Sequence, residues 1–186
     1  MIVRVSKPAF NLREKLSELD KPASKIIGQI TDLDAWAVSS NYNTGNGAVD
    51  ITSNWYQFAT KVFFPKIGNS MTQSSGIFTF PKTGLWRIDF IVGAWNQHNH
   101  TINYFGGRIR YSTDSGSSYN HYYNSYDAIA GGSDHGANTV VGIFNVKNSN
   151  TTRVKFDTNT PNNTNIFGSA DQMRTGAIFT RFGDNF

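Results

Sequence analysis

One stretch constrains the chain more than any other: Gly76-Ile77-Phe78-Thr79-Phe80-Pro81-Lys82-Thr83-Gly84-Leu85-Trp86-Arg87-Ile88-Asp89-Phe90. Side chains of a strand alternate between faces. Phe78 and Phe80 therefore share a face, as do Trp86, Ile88, Phe90 and Val92. Leu85, Arg87, Asp89 and Ile91 fall opposite the second set. The aromatic face must be core. The other must meet water or a partner that satisfies Arg87 and Asp89. Pro81 lacks a backbone donor and ends the first ladder or confines it to an edge. Lys82-Thr83-Gly84 then reads as a turn joining two strands, with Gly84 free to take positive φ.

The remaining β pattern follows the same alphabet. Beyond residue 30 the chain is written in Phe, Tyr, Trp, Val, Ile, Thr, Asn and Gly, residues of strands and turns. Strands are expected over Lys61 to Phe64, Tyr104 to Tyr111, Tyr119 to Tyr126, Thr139 to Val146, Arg153 to Phe156 (the return of the preceding strand) and Thr175 to Phe182. Gly131 to Gly136 reads as a loop. No Cys occurs, which excludes disulfides and thiolate metal sites. No apolar run approaches the roughly 20 residues that cross a bilayer, and Met1 to Ser6 is too short and too charged for a signal peptide.

The first 30 residues are different. They hold both Glu residues, Glu14 and Glu18, and three of the five Leu. These are good helix formers. Pro8 suits a first helical turn, Lys21-Pro22 a stop, and Phe10, Leu12, Leu16 and Leu19 give an apolar stripe. A helix over 8–20 is marginal alone, so the stripe must pack back on its own domain or dock on a larger assembly, with Arg13 beside it. The organisation expected is an anchor at 1–30, a linker or arm at 31–53, and a β domain at 54–186. The net charge of +4 lies mostly in the anchor, which contributes +3. The nearly neutral remainder lacks the clustered basic face of a nucleic-acid groove.

Two resemblances sharpen this reading. Gly84-Leu85-Trp86-Arg87-Ile88-Asp89-Phe90, after an aromatic strand and a Pro-x-x-Gly turn, resembles the signature of the tumour necrosis factor (TNF) and complement globular-head superfamily. Gly176-Ala177-Ile178-Phe179-Thr180-Arg181-Phe182 is similar to its final strand. The resemblance implies an all-β, TNF-like jelly-roll sandwich assembling as a homotrimer. Trp86, Ile88, Phe90, Ile178 and Phe179 would lie on strands of the inner sheet near the threefold, with one undetermined face of each meeting its symmetry mates. Lys7-Pro8-Ala9-Phe10-Asn11-Leu12-Arg13-Glu14-Lys15-Leu16-Ser17-Glu18-Leu19-Asp20-Lys21-Pro22 resembles the leader of virion structural proteins of tailed phages, notably those of marine and cyanobacterial hosts. That implies a place on a virus particle, with Phe10, Leu12, Arg13, Leu16 and Leu19 as anchor.

Candidate sites are few. Ser112-Thr113-Asp114-Ser115-Gly116-Ser117-Ser118-Tyr119 resembles the Asp-box turn of sialidases, which is structural: Asp114 caps it and Gly116 takes the left-handed position. Tyr119, Tyr122, Tyr123 and Tyr126 put rings on both faces of one strand, serving core and subunit contact or a host-glycan platform. His98 and His100 flank Asn99 in a polar loop. On a threefold axis, three such pairs would suit a metal such as Zn, Cu, Fe or Ni. No Gly-x-Ser-x-Gly, His-Glu-x-x-His, Walker loop or dinucleotide fingerprint occurs, and the body lacks Glu. The expectation is a non-enzymatic virion protein without cofactor, nucleic acid or membrane. Three roles are open: a capsid decoration or cement protein contacting the major capsid protein, a tail-fibre tip that binds host glycans, or a monomeric lectin-like module.

Overall fold

The computed structural model describes residues 30–58, 66–96, 102–129, 134–161 and 164–184. The anchor segment, its expected helix and the strand expected at 61–64 lie outside them. Among the described residues thirteen strands run in order: β1 (Asp32–Val38), β2 (Tyr42–Asn43), β3 (Gly47–Asp50), β4 (Trp55–Gln57), β5 (Thr72–Ser74), β6 (Ile77–Thr79), β7 (Gly84–Trp95), β8 (Ile102–Ser112), β9 (His121–Ile129), β10 (His135–Val146), β11 (Arg153–Thr160), β12 (Asn165–Ile166) and β13 (Gly176–Gly183). They form two antiparallel sheets. Sheet A is seven-stranded, ordered β2-β12-β7-β13-β1-β4, with β10 on the other side of β7. Sheet B is six-stranded, ordered β5-β6-β11-β8-β9, with β3 added to β11.

The organising stretch does alternate as its sequence requires. Phe78, Phe80, Trp86, Ile88, Phe90 and Val92 are all buried. It is not a hairpin, however. β6 belongs to sheet B and β7 to sheet A, so residues 80–83 carry the chain from one wall of the sandwich to the other. The Trp86 indole N–H donates to the Lys82 carbonyl at 3.2 Å, and the Phe80 and Trp86 rings meet edge-on at 5.3 Å. Gly84 has a φ of 133°, and a Cβ there would run into the Gly183 carbonyl. The expected return of Arg153 to Phe156 on the preceding strand is corrected in the same way. β10 pairs with β7 in sheet A, whereas β11 pairs with β3, β6 and β8 in sheet B. Both stretches contain turn residues at a short spacing, and a turn that bends over the sandwich edge reads locally like one that folds a ladder back.

The linker expected at 31–53 is also corrected. β1 lies between β13 and β4 within sheet A, and β3 extends sheet B. Polar pairing hides this segment's role. Asp34 is buried and accepts from the Trp36 indole (2.9 Å), the Gln57 amide (2.9 Å) and the Met71 backbone N–H (2.8 Å). Asp32, fully buried, lies against Lys82, Asn69 and Arg181. Burial opposes its ionisation, but the Asn69 backbone N–H, then Lys82 and Thr31, outweigh this and hold the carboxyl below its ordinary value. The expected loop at 131–136 ends sooner than predicted, because His135 and Gly136 begin β10.

The core between the sheets is aromatic. Phe78 meets Trp55 (4.9 Å), Phe179 (5.2 Å), Trp36 (5.4 Å) and Phe156 (5.4 Å), and Phe90 meets Phe156 at 4.8 Å. Such ring pairs add about 0.5–1.5 kcal/mol each beyond area burial. The walls approach so closely that a Cβ on Gly107 would run into the ring of Phe90.

Candidate functional site

With one face of each sheet buried, the described residues offer two outward sheet faces and a cleft between the sheet edges. Sheet A turns out an apolar face. On β7 and β13 it presents Leu85, Ile91 and Ile178, each half-buried, and on β10 it presents Val141 and Ile143, 44% and 55% exposed. The register sets Val141 opposite Asp89 and Asp89 opposite Ile178. Arg87 and Asp89 interrupt the face but pair with each other, with Arg87 Nη2 at 2.6 Å and Nε at 2.9 Å from the carboxylate. That pairing holds the Arg87 guanidinium above its ordinary pKa. Toward β1, Ala35, Ala37 and Phe58 form a small second cluster with Tyr56, Met173 and Ile178.

This settles where the strand residues named from the sequence lie. Trp86, Ile88, Phe90 and Phe179 have no exposed surface and belong to the chain's own core. Ile178 alone of that set points outward.

Sheet B turns out charge and rings. Asp50, Asp157 and Arg108 lie abreast on β3, β11 and β8, and Lys155 lies abreast of Arg110. Arg108 Nε donates to Asp157 at 2.7 Å, and Lys155 Nζ to Asp50 at 2.6 Å. Asp157 is fully buried and its Oδ2 has no hydrogen-bond partner, with Arg110 Nη1 at 4.0 Å from it. Burial pushes the Asp157 carboxyl above its ordinary value, although Arg108 pulls the other way.

Around this ladder sit the tyrosines. Tyr122 and Tyr126 face outward on β9, 56% and 39% exposed. The Arg108 guanidinium lies 5.6 Å from the Tyr122 ring centre. Tyr119 lies in the turn before β9, half-buried beneath Lys155, whose Nζ is 4.6 Å from its ring centre. Tyr123 points the other way, into the cleft between the edges of β9 and β10. Its hydroxyl donates to the Ile143 carbonyl at 3.2 Å and its ring meets Phe144 edge-on at 5.2 Å. The cleft has a volume of about 590 Å³, lined by Tyr111, Asn120, Tyr122, Tyr123, Ile143, Phe144 and Asn145. The four tyrosines therefore divide among three environments.

The turn that carries β9 is built as its sequence indicates. β8 and β9 form a true hairpin. Asp114 accepts from the Ser112 hydroxyl (2.6 Å), the Ser118 hydroxyl (2.6 Å) and the Ser118 N–H (3.0 Å), while Gly116 takes a φ of 91°. These donors hold the Asp114 carboxyl well below the usual carboxylate range, led by Ser112 and then Ser118.

The anchor residues Phe10, Leu12, Arg13, Leu16 and Leu19, and the pair His98 and His100, lie outside the described residues. Among the described residues no group of three or more His, Asp or Glu could hold a metal ion. The sequence reading missed the charge ladder. Its signal was present in Arg108-x-Arg110 and Lys155-x-Asp157, charges at the two-residue spacing that puts both on one strand face.

No family model matches the chain, and no curated protein matches it in sequence. Solved structures do match its fold. Murine APRIL at pH 5.0, a TNF-family protein, is similar with a TM-score of 0.54 and 9% identity, over 81% of this chain and 98% of that one. PRD1 vertex protein P5 is similar with a TM-score of 0.51 and 17% identity, over 84% of this chain and 100% of that one. At such identities the likeness concerns architecture, and the architecture is that of a TNF-like jelly-roll sandwich.

Proposed function

We propose that the chain is a non-enzymatic structural protein of a virus particle, a trimeric capsid decoration or cement protein docked through residues 1–30. The observation that carries the assembly is the apolar outward face of β7, β10 and β13. A monomer would leave Val141 and Ile143 in water beside a half-buried Leu85, Ile91 and Ile178. Contiguous exposed apolar patches mark contact surfaces. Copies packed on this face would cover it, with the Arg87–Asp89 pair neutralised in place. The leader-like sequence at residues 7–22 supports a place on a particle, and so does the fold shared with a protein named as a vertex protein. A trimer would present three anchors at once, so weak docking contacts would add through high effective concentration.

Light scattering on the purified full chain tests the assembly. A mass near three times the 20.7 kDa of one chain is expected. A monomer overturns this reading and leaves a lectin-like module. Cross-linking mass spectrometry on virions then tests the location. Links to the major capsid protein are expected, and links confined to tail proteins would make the chain a fibre tip.

A further inference from the structure

We propose that the outward face of β8 and β9 binds a saccharide, with one pyranose ring stacked on Tyr126 and its hydroxyls met by Asn124, Asn159 and Arg108. The site lies within one protomer and does not depend on the assembly proposed above.

Tyr126 is laid flat on the sheet. It pairs with Gly106 on β8, and a Cβ at Gly106 would collide with the Tyr126 ring. Asn159, abreast of Gly106 on the next strand, donates from Nδ2 to the Tyr126 hydroxyl at 3.0 Å. A side chain that starts on β9, passes over Gly106 and reaches β11 must run along the sheet surface. Tyr104 closes one side, its ring edge-on at 5.9 Å and 86°. One face of the Tyr126 ring is therefore pressed on backbone and the other is open, in an orientation fixed at both ends.

The neighbours suit a polyhydroxylated ligand. Asn124 is exposed between Tyr122 and Tyr126 on the same face, and Asn159 keeps its carbonyl as an acceptor beside the anchored hydroxyl. Arg108 lies abreast of Asn124 and is fixed by Asp157. Planar amides and a guanidinium beside a fixed ring supply paired donors and acceptors around an apolar plate. A pyranose presents that complement, C–H bonds on one face and hydroxyls at the rim. Tyr122 and Tyr126 are four residues apart, about 13 Å along the strand, which leaves room for an oligosaccharide.

Charge separates this ligand from nucleic acid, whose bases also stack on rings. Arg108 is hydrogen-bonded to Asp157 and Lys155 to Asp50, and Arg110 lies 3.8 Å from the Asp50 carboxylate and 4.0 Å from that of Asp157, so the described residues of this face offer no row of unpaired cations for phosphates.

Saturation-transfer NMR on the full chain tests the site with three probes: cellotriose, triacetylchitotriose and lactose. Transfer to pyranose C–H protons of at least one probe is expected. Tyr126→Ala should weaken binding about tenfold, the scale of one aromatic contact. Tyr126→Phe, which keeps the ring and loses the Asn159 bond, should retain most of it. Ile143→Glu, on the other sheet, should bind as the parent does even if its oligomeric state changes. The proposal is overturned if no probe shows transfer, if Tyr126→Ala binds undiminished while melting like the parent, or if oligothymidylate displaces the sugar.

Discussion

The two outward faces of this sandwich are built from the same kind of strand and end in opposite states. On sheet B the charges complete one another within the chain: Arg108 with Asp157, Lys155 with Asp50. That face needs no partner to be stable. On the outward face of sheet A the Arg87–Asp89 pair is also self-contained, but the apolar side chains around it are not covered. A face whose charges are paired within the chain can remain in water and receive a soluble ligand, even with one Asp157 oxygen left without a hydrogen bond. A face whose apolar groups are unsatisfied gains free energy only by meeting another surface. One molecule thus carries an uncovered apolar face and a charge-paired, ring-bearing face, back to back across one aromatic core; the first is the surface proposed for assembly and the second the one proposed for a ligand.

The largest test of this contrast is Ile143→Glu. It places a carboxylate on the uncovered face, where assembly would bury it unpaired. The expected outcome is loss of the trimer in light scattering, with monomer stability changed by less than about 0.5 kcal/mol, as for other surface changes. A trimer that survives would place the interface elsewhere.

The converse test breaks sheet B's self-sufficiency. Arg108→Met leaves Asp157 buried beside Asp50 without its main counter-charge. Denaturant titration should show a loss of about 3 kcal/mol at pH 7, the scale of a broken buried pair. The pH dependence has a definite sign. Burial raises the folded-state pKa of Asp157 above the unfolded value, so in the window between the two the folded state holds the proton more tightly. Stability from this group therefore rises as pH falls through that window, and the Arg108→Met deficit should shrink with it. A deficit unchanged between pH 7 and pH 4 would argue against a charge origin.

Asp114→Ala should act more weakly and with the opposite pH sign. The folded-state pKa of Asp114 is depressed, so its contribution is present above the ordinary value near 3.8 and lost as pH falls toward the folded value. A small drop in Tm at pH 7 that vanishes in strong acid is expected by calorimetry. Smallest is Asp89→Asn in the monomeric Ile143→Glu background, where Tm should not move, because an exposed pair on an open face contributes little. A clear drop there would mean that the pair already works within one chain.

How much was legible depended on the range of the cause. The period-two rings of Phe78 to Phe90 placed the core faces correctly, because alternation is a property of the strand itself. The Ser112 to Tyr119 turn was legible because its hydrogen bonds close within five residues. The pairing of strands was not. Pro81 to Gly84 and Asn148 to Asn150 announce a change of direction, but whether the chain returns to the same sheet or crosses to the other depends on distant strands. β13, near the C-terminus, occupies one side of β7, and β10 the other. β1 escaped notice because Asp32 and Asp34 look like loop residues until Asn69, Met71, Lys82 and Gln57 arrive to satisfy them.

By itself, the sequence determined an all-β domain with an aromatic core, a charged N-terminal segment of different character and a capped hairpin turn, since each follows from local periodicity, propensity or short-range hydrogen bonds. Only the tertiary structure decided which tyrosines around β9 face inward and which outward. It bonded Tyr123 across the cleft, left Tyr122 exposed at the cleft's rim, and laid Tyr126 over Gly106. Those outcomes depend on which strand lies beside which, and that is fixed by contacts between residues far apart in the chain.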